Sequence, residues 1–362
     1  MRTRPRILHI VVAGQIGGAE RFLATLTAHP GRSEHVIALM TPNRDLAAFF
    51  RAGEMPLHNP GLCRENPLAY LWRSYGRTDL AWLGHVIAAE RADILHCHTY
   101  GSHVLAARAA QRFGLPLVRT EHGVRHYRDP TCALNRHWAL KHTTKIVAVS
   151  NFVGRTVAHI EPAVADRIHV VHNGIDLARF APQPPRREGP FTLAAIARLE
   201  PIKRLNIALR ALPQVPDVVL EIAGDGAERD KLEQLARDLG IASRVRFHGH
   251  LADPGPVIAA ADAVINCTRE EALSLSALEA GAMQRPTIGF AQGGLVEAVV
   301  DGRTGWLSDD DSVAGFARLL RQASADRAEA ARRGIEARAW VTAGFGLAKM
   351  CEGYEAVYTR LV

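Results

Sequence analysis

The sequence predicts an α/β protein with two doubly wound, Rossmann-like domains. Three observations support this fold class: short apolar runs alternate with helical stretches in the first half, a proline-rich segment interrupts them at 181–190, and a second alternating series follows. Alternating strands and helices are typical of parallel sheets covered by helices. With 362 residues and 48% hydrophobic content, the chain is long enough for two ordinary domains, each with its own core.

The first domain is predicted over residues 1–180. Buried parallel strands form nearly continuous hydrophobic runs. The runs of this kind are Ile7 to Ala13, His35 to Met40, Ile94 to His98, Leu117 to Thr120, Lys145 to Ser150 and Ile168 to His172.

Residues 181–190 contain four prolines and a glycine, which predicts a linker. The second domain is predicted over 191–342. Its strands are expected at Phe191 to Ala197, Val218 to Ala223, Val245 to His248, Ala263 to Cys267 and Thr287 to Phe290. A last helical stretch, 343–362, is expected to pack back on the first domain.

The charge differs between the two halves. Residues 1–180 hold 22 Lys and Arg against 13 Asp and Glu, whereas residues 181–362 hold 22 against 24, and 15 of the 17 histidines lie in the first half. A basic half suggests an anionic partner, such as a phosphorylated lipid, a membrane surface or nucleic acid; a solvated basic surface explains it equally well. The dispersed cations and the lack of a known DNA- or RNA-binding signature disfavour nucleic acid.

The five cysteines are scattered and lack C-x-x-C spacing. This pattern predicts neither a disulfide framework nor a cysteine zinc site, and fits a reducing cytoplasm. The run Ile7 to Ala13 is too short to span a bilayer and leads into a glycine turn. We therefore expect no signal peptide and no transmembrane helix.

Glu271 and Glu279 are eight residues apart, where a strand is predicted to give way to a helix. The helix should begin near Ser274 and end before Pro286. The free N–H groups of Ser274, Leu275 and Ser276 would then point out of the helix start, where anions bind well. An isolated pair of glutamates usually caps a helix or faces water, so other residues must support a functional role.

Ligands of open α/β sheets bind at the carboxyl ends of strands, and two cations follow the strand that begins at Phe191. Arg198 and Lys203 could both bend toward one pyrophosphate, the guanidinium as a fork and the ammonium as a point charge. Ordinary surface charge is the alternative explanation for this pair.

Glycine loops follow two other predicted strands. Gly17 and Gly18 would let a ligand approach the backbone, although a structural turn explains them as well. Their segment is not G-x-G-x-x-G and the second strand lacks a terminal acid, which disfavours a dinucleotide-dependent oxidoreductase. Gly224 lies in a Gly-Asp-Gly turn that could wrap a base or ribose or be purely structural. His122 ends another strand, and a lone histidine is usually structural.

Together these segments resemble glycosyltransferase family 4, the large retaining family with the GT-B fold. The resemblance covers nearly the whole chain. Its motifs are Gly-Gly-Ala-Glu20, Thr-Glu-His-Gly123, Val149-Ser-Asn151, Asn-Gly-Ile-Asp176, Ala197-Arg-Leu-Glu-Pro-Ile-Lys203, Gly224-Asp-Gly226, Phe247-His-Gly249, Glu271-x7-Glu279, Gly293-Gly-Leu-Val-Glu297 and Asp301-Gly-Arg-Thr-Gly305.

The resemblance implies two domains facing each other across a cleft and a UDP- or GDP-linked sugar donor. Arg198 and Lys203 would hold the diphosphate, and Glu279 the ribose. Glu271 would bind the donor sugar, with His122 contacting it from the other domain. The remaining donor-site residues would be Gly17, Gly18, Gly224, His250, Leu251, Ser274, Leu275 and Ser276.

The sequence departs from the family pattern in two places. Ala272 and Leu273 replace a glycine and a bulky residue, which predicts a slightly narrower sugar pocket. Arg204 replaces the usual glycine after Lys203, which predicts an additional cation beside the phosphates.

The resemblance also implies front-face transfer with retention, in which the leaving phosphate oxygen accepts the acceptor's proton. We expect no metal and no other cofactor, because no Asp-x-Asp follows a strand and Asp309 to Asp311 reads as a solvated loop. Closure of the cleft should assemble the site. The alternatives are a nucleotide-sugar epimerase or hydrolase that does not transfer, or a nucleotide-sugar-binding module.

The acceptor is expected to be a glycan or a lipid-diphosphate-linked sugar in cell-surface polysaccharide, lipopolysaccharide or glycolipid synthesis. Aromatic residues mixed with cations in Tyr70 to Arg77 and in Arg125 to His142 suit an anionic membrane surface. They predict a cytoplasmic protein that contacts the inner face of the cell membrane peripherally; helix packing by the aromatics is equally plausible.

Overall fold

The computed structural model describes residues 4–14, 16–41, 43–60, 74–184 and 188–362. Cys63, residues 70–73 of the aromatic segment and residues 185–187 of the expected linker lie outside these ranges. The chain divides into two compact units. The N-terminal unit comprises Met1–Asn173 and Leu347–Val362, and the C-terminal unit comprises Gly174–Gly346.

The N-terminal unit alternates strands with helices. Its strands are β1 (Arg6–Val11), β2 (Glu34–Leu39), β3 (Leu57–His58), β4 (Ile94–Cys97), β5 (Leu117–Glu121), β6 (Lys145–Ala148) and β7 (Ile168–Val170). Its helices are α1 (Gly18–Ala28), α2 (Arg44–Ala52), α3 (Thr78–Glu90), α4 (Tyr100–Phe113), α5 (Pro130–Lys141), α6 (Asn151–Ile160) and, at the chain's end, α14 (Leu347–Thr359).

The strands of this unit pair in parallel in the order β3-β2-β1-β4-β5-β6-β7. The chain therefore reverses direction across the sheet between β1 and β4, which is the usual place for a ligand in such a fold. Side chains alternate between the two faces. Leu8 and Ile10 join a core with α3 and α4, whereas Ile7 and Val11 join one with α1, α2 and α14.

The C-terminal unit repeats this pattern. Its strands are β8 (Phe191–Ile196), β9 (Val218–Ala223), β10 (Val245–Gly249), β11 (Ala263–Asn266), β12 (Thr287–Phe290) and β13 (Gly305–Ser308). Its helices are α7 (Leu205–Ala211), α8 (Arg229–Asp238), α9 (Gly255–Ala260), α10 (Leu275–Ala282), α11 (Leu295–Ala298), α12 (Val313–Ala325) and α13 (Arg327–Gly344). The parallel order is β10-β9-β8-β11-β12-β13, so the reversal lies between β8 and β11.

The predicted strands agree with the observed ones to within one or two residues at their ends. The differences arise where the chain enters a turn and no longer pairs with a neighbouring strand. Two strands were not predicted: β3 has only two residues, and β13 contains a glycine, a tryptophan and a serine. The α/β fold class is therefore correct.

The division between the units falls at Asn173–Gly174, before the proline-rich segment that the sequence marks as the linker. Ile175 and Phe180 are buried in a core of the C-terminal unit. The guanidinium of Arg338 also donates to the carbonyl oxygen of Phe180 at 3.0 Å. These contacts assign residues 174–180 to the C-terminal unit. The proline-rich segment begins only after them, at residue 181.

Candidate active site

The loops that follow β8, β9, β10, β11 and β12 share one edge of the C-terminal sheet, because all these strands are parallel. This edge carries most of the charged residues that the sequence assigns to a ligand. The loop after β8 contains Arg198 and Lys203, and the loop after β11 contains Glu271. These two loops flank the point where the strand order reverses, which is the position expected for a ligand.

An ion pair joins the two loops. Lys203 Nζ lies 2.8 Å from Glu271 Oε2, and both side chains are about one-fifth exposed. Asn266, the last residue of β11, donates from Nδ2 to the same oxygen at 3.4 Å. Lys203 ends a short 3-10 helix, Pro201–Lys203, in the loop that follows β8. The structure thus brings together a cation and a carboxylate that are 68 residues apart in the chain.

The backbone of Glu271 is held by the glycines after β12. The N–H of Gly294 donates to the carbonyl oxygen of Glu271 at 2.6 Å. Gly293 has φ +61°, and a Cβ placed on it would lie 2.6 Å from that carbonyl oxygen. A side chain at Gly294 would collide with the carbonyl of Ala272. These glycines therefore allow the close backbone approach that positions the Glu271 carboxylate.

Helix α10 begins immediately after this loop, as predicted. Ser274 is the N-cap, and its hydroxyl accepts a hydrogen bond from Ala277 N at 3.2 Å. Asn266 Nδ2 donates to Ser274 Oγ at 2.8 Å and so fixes the cap against β11. The next N–H groups, those of Leu275 and Ser276, lie in the first turn, where helix N–H groups lack intrahelical acceptors. Glu279 is partly exposed one turn further on, on the same helix face as Leu275.

Arg198 lies on this edge but is differently paired. Its guanidinium is 2.6 Å from Glu200 Oε1, and the side chain is 60% exposed. The loop that carries it is fixed by the Gly224–Gly226 turn: Leu199 N donates to the carbonyl oxygen of Asp225 at 2.9 Å, and a Cβ on Gly226 would lie 2.5 Å from Leu199 O. Gly224 and Gly226 both have positive φ. The structural explanation of this turn is thus well supported, and Gly224 acts on the site by holding the Arg198 loop.

The expectation that Arg204 adds a cation beside the phosphates does not agree with the structure. Arg204 has the left-handed φ of +51°, which explains why a glycine suits this position. Its guanidinium binds Asp311 at 3.0 Å and lies over the ring of Phe290. Hydrogen bonds from Gln292 and Arg204 lower the pKa of Asp311. Asp311 is therefore tied to the β12 loop, whereas Asp309 and Asp310 are exposed to solvent as expected.

His250 and Leu251 follow β10 at the same edge. Gly224 N donates to the carbonyl oxygen of Gly249 at 2.8 Å, which joins this loop to the one after β9. His250 is exposed, whereas Leu251 packs against a hydrophobic core of the unit. Of these two predicted donor-site residues, His250 has the more accessible side chain.

The glycine loop after β1 in the N-terminal unit opens α1 with Gly17 as its N-cap. Gly17 N donates to Glu20 Oε2 at 2.9 Å, so this N–H already has an acceptor. Glu20 itself is buried. Gly18 occupies the first helical position, and a Cβ there would meet no atom within 4 Å. Gly18 is thus better placed than Gly17 to offer an N–H to a ligand.

His122 follows β5 at the corresponding edge of the N-terminal sheet. Phe22 meets its ring edge-on at a centroid distance of 4.9 Å. Burial lowers the pKa of His122 to about 4, so the imidazole is neutral near pH 7. Its Nε2 is buried and has no hydrogen-bond partner within the described ranges. A buried nitrogen of this kind is costly unless a ligand pairs with it.

The residue before His122 belongs to a buried ion pair. Glu121 and Arg119 are each 1% exposed and contact each other through two hydrogen bonds. Glu121 also accepts a hydrogen bond from Tyr127 Oη at 2.8 Å. Burial opposes ionisation of Glu121, but Arg119 outweighs it and holds the pKa of Glu121 well below its usual range. The pair fixes the end of β5 and, with it, the backbone of His122.

The aromatic and basic residues around α5 are only partly available to a membrane. Trp138 is 37% exposed and Tyr75 is 54% exposed. Arg136 and His137 bind Glu161 at 2.9 and 3.0 Å, so they are not free surface cations. Across the described residues, the helices are too short or too polar to cross a bilayer.

Several contributors to the site have only weak sequence signals. Asn266 precedes the loop of Glu271 and binds both Glu271 and Ser274. A polar residue at the end of an apolar strand is the signal that could have identified Asn266 from the sequence. The pairing of Arg204 with Asp311 joins residues 107 apart in the chain, and their spacing shows no pattern.

Comparison with known families assigns both units. Residues 16–179 match the model of "Glycosyltransferase Family 4" and residues 178–340 match "Glycosyl transferases group 1". Glycogen synthase of Mycobacterium tuberculosis (strain ATCC 25618 / H37Rv) is 33% identical over 300 residues, covering 78% of this chain and 70% of the relative. A D-inositol 3-phosphate glycosyltransferase of Mycolicibacterium gilvum is 30% identical over 292 residues, covering 68% and 64%.

Solved structures show the same fold. Anabaena Alr3699/HepE, solved in complex with UDP-glucose, has a TM-score of 0.83, covers 98% of this chain and 100% of its own, and is 21% identical. Sucrose-phosphate synthase from Thermosynechococcus elongatus also has a TM-score of 0.83. At such low identity the likeness concerns the fold alone, which is GT-B.

Proposed function

The chain belongs to glycosyltransferase family 4, and we propose that it is a retaining hexosyltransferase that moves a sugar from a UDP- or GDP-linked donor to a glycan or lipid-linked acceptor. The observation that carries this proposal is the Lys203–Glu271 pair beside the start of α10, at the strand-order reversal of the C-terminal sheet. A cation, a carboxylate and free helix N–H groups at one point suit a diphosphate with a sugar attached.

The diphosphate is the first group that this arrangement can bind. Lys203 offers an ammonium, and the N–H groups of Leu275 and Ser276 add the positive end of the helix dipole. Arg198 is exposed and, among the described residues, is paired with the neighbouring Glu200, so its guanidinium can turn to a phosphate at little cost. Fixed positive groups stabilise the charge that develops on the diphosphate as the sugar departs. This supplies electrostatic catalysis without a metal ion.

The two glutamates receive different tasks in this proposal. Glu279 stands on the face of α10 that also carries Leu275, one turn from the phosphate-binding N–H groups, and is assigned to the ribose hydroxyls. Glu271 is held by Gly293 and Gly294 and is assigned to hydroxyls of the donor sugar. The unpartnered Nε2 of the neutral His122 supports its assignment to the same sugar.

Retention follows, in this proposal, from front-face attack, with the departing phosphate oxygen taking the proton of the acceptor hydroxyl. The test is a transfer assay with candidate donors in which the anomeric configuration of the product is determined by NMR. The α-configured product should form at the same rate in excess chelator during a short incubation. An inverted product, or strict dependence on magnesium or manganese while the fold stays intact, would contradict the mechanism.

The non-transferring alternatives are an epimerase, a hydrolase or a binding module. The same assay separates them, because they would yield an epimerised sugar, free sugar with nucleotide, or an unchanged donor. Cell-surface polysaccharide, lipopolysaccharide and glycolipid intermediates are the acceptors to try first.

We further propose weak binding to anionic membranes through the exposed Trp138 and the basic α5 region. Flotation with vesicles rich in anionic lipid should recover the protein at low salt and lose it at high salt, because screening weakens surface charge interactions. Trp138→Ala should reduce recovery. No flotation at low salt would remove the membrane contact from the proposal.

A further inference from the structure

Three histidines of the N-terminal unit share one face of its sheet. His96 lies on β4, and His98 follows two residues later, so both point to the same side. His9 lies on the neighbouring strand β1, directly opposite His96 in the parallel register. All three are at most 4% exposed. A pair of histidines at i and i+2 on one strand, with a third on the adjacent strand, presents three imidazoles to one point.

The ring nitrogens are close enough to share an ion. One nitrogen from each of the three side chains lies within 4.8 Å of the others. His9 Nδ1 and His98 Nε2 are 2.9 Å apart, and the rings of His96 and His98 have centroids 4.0 Å apart. Two imidazole nitrogens bound to tetrahedral zinc at about 2.0–2.1 Å would be roughly 3.3 Å apart. Small ring rotations are therefore sufficient to bring three nitrogens to one ion.

The surroundings resemble those of ligating histidines, which usually donate their second N–H to a polar partner. His9 Nε2 is 2.9 Å from His35 Nδ1. His96 Nδ1 and Nε2 are each 2.8 Å from a hydroxyl, Tyr358 Oη and Thr120 Oγ1, so one of these two contacts would give way to the ion. His98 differs, because its buried Nδ1 has no partner in the described part of the chain. His98 would bind the ion through Nε2, the nitrogen that faces His9 Nδ1, so its Nδ1 would keep this state.

A cavity of the same unit reaches His35, the hydrogen-bond partner of His9. This cavity of about 610 Å³ lies between the end of α1 and α14, and its lining includes His35, Glu352 and Glu355. His35 separates this cavity from His9. The two carboxylates would attract a cation to its mouth.

We propose that His9, His96 and His98 form a transition-metal site that stabilises the N-terminal unit, with zinc as the best-fitting ion. Three imidazoles without a carboxylate suit Zn²⁺, Co²⁺, Ni²⁺ or Cu²⁺ and not Mg²⁺ or Ca²⁺. The charged groups assigned to the donor diphosphate lie in the other unit. His122, which is assigned to the donor sugar, stacks on the ring of His98 at a centroid distance of 5.8 Å, so the ion would also help to hold His122 in place.

The experiment is metal binding by the whole protein after chelator treatment. We expect one equivalent of Zn²⁺ by mass spectrometry of metals, a visible Co²⁺ spectrum typical of tetrahedral nitrogen ligation, and a higher Tm with Zn²⁺. His9→Gln and His98→Gln should each lose stoichiometric binding. His35→Ala, which removes a partner of His9, should weaken binding about 10- to 100-fold.

The control is His103→Gln. His103 lies on α4, outside the three-histidine cluster; it is equally buried and is hydrogen-bonded to Thr143. This variant should bind zinc like the wild type. No stoichiometric Zn²⁺ or Co²⁺ binding by the wild type would overturn the proposal, as would binding that His9→Gln and His98→Gln both retain, which would indicate an adventitious ion only. If the variants do not fold, the wild-type stoichiometry, Co²⁺ spectrum and Tm shift decide.

Discussion

The two units share the strand order of their first six strands, but they differ in the charge of the side chains where that order reverses. In the C-terminal unit, charged groups such as Lys203 and Glu271 are about one-fifth exposed where the order reverses between β8 and β11. At the corresponding reversal between β1 and β4, the N-terminal unit has neutral, buried imidazoles, and β5 next to it carries a buried ion pair. The same sheet arrangement can thus present charged groups to a ligand or bury polar groups, depending on the side chains that lie on and after its central strands.

The largest effect on stability should come from the buried pair. Glu121→Gln leaves Arg119 charged and without its carboxylate in the interior, so we expect a loss of about 3–5 kcal/mol in the free energy of unfolding. The exposed Arg303–Glu336 pair of the C-terminal unit is the matched control, and Glu336→Gln should cost about 1 kcal/mol or less. Urea unfolding of both variants measures the difference. Equal losses of unfolding free energy would show that the buried ion pair is no more costly to break than the exposed one.

The largest effect on activity should come from Lys203. Lys203→Ala removes a fixed cation from the developing charge of the diphosphate, and we expect kcat to fall about 100- to 1,000-fold with little loss of stability. Lys231→Ala, at an exposed lysine paired with Glu228 in the same unit, should leave kcat unchanged. An active Lys203→Ala enzyme would remove this residue from the mechanism.

The units should also differ in their response to acid. Burial lowers the pKa of His35 and of His122 to about 4 in the folded N-terminal unit, so the unfolded unit binds protons at a higher pH than the folded unit does. The stability that these two neutral histidines contribute is complete above about pH 6.5 and is lost as the pH falls toward 4. In the C-terminal unit, Arg332 and Arg333 lower the pKa of Glu329 to about 2, a contribution that is lost only below about pH 4.5.

Hydrogen exchange at pH 7 and pH 5, corrected for intrinsic rates, resolves the two units. We expect the N-terminal strands to lose protection at pH 5 while β8 to β12 keep theirs. Loss of protection in the C-terminal unit first would reverse the comparison.

A smaller and more selective effect separates the two glutamates. Glu279→Ala should weaken binding of the nucleoside diphosphate about 10-fold, since it removes a charged hydrogen bond. Glu271→Ala should spare that affinity and reduce transfer. Calorimetry with the diphosphate and a transfer assay measure the two quantities, and the reverse pattern would exchange the assigned roles.

Much of this arrangement is visible in the sequence. The strand β11 and the start of α10 follow from the apolar run to Asn266, the serine cap and Pro286, and they locate Glu271 and Glu279 correctly along the chain. Local signals of this kind depend on residues close in sequence. The assignment of Glu271 to the sugar and Glu279 to the ribose stays a prediction.

Contacts between distant residues could not be predicted in the same way. Arg204 appears as an additional cation in sequence, yet Asp311 neutralises it in the fold. The cluster of His9, His96 and His98 depends on the parallel register of β1 and β4, which no spacing in the chain encodes. The division at Asn173 depends on the packing of Ile175 and Phe180, whereas the described parts of the proline-rich segment, residues 181–184 and 188–190, lie outside the helices and strands.

The central claim is that the charged edge of the C-terminal sheet binds a nucleotide sugar. A thermal-shift screen of UDP- and GDP-linked sugars tests it most directly, because a ligand at 100 times its Kd stabilises the folded state by about 2.7 kcal/mol. For a unit of this size that corresponds to a Tm increase of roughly 5–10 °C. We predict this increase for one donor with the wild type and its loss in Lys203→Ala. No shift with any nucleotide sugar at millimolar concentration, or an equal shift in Lys203→Ala, would contradict the account.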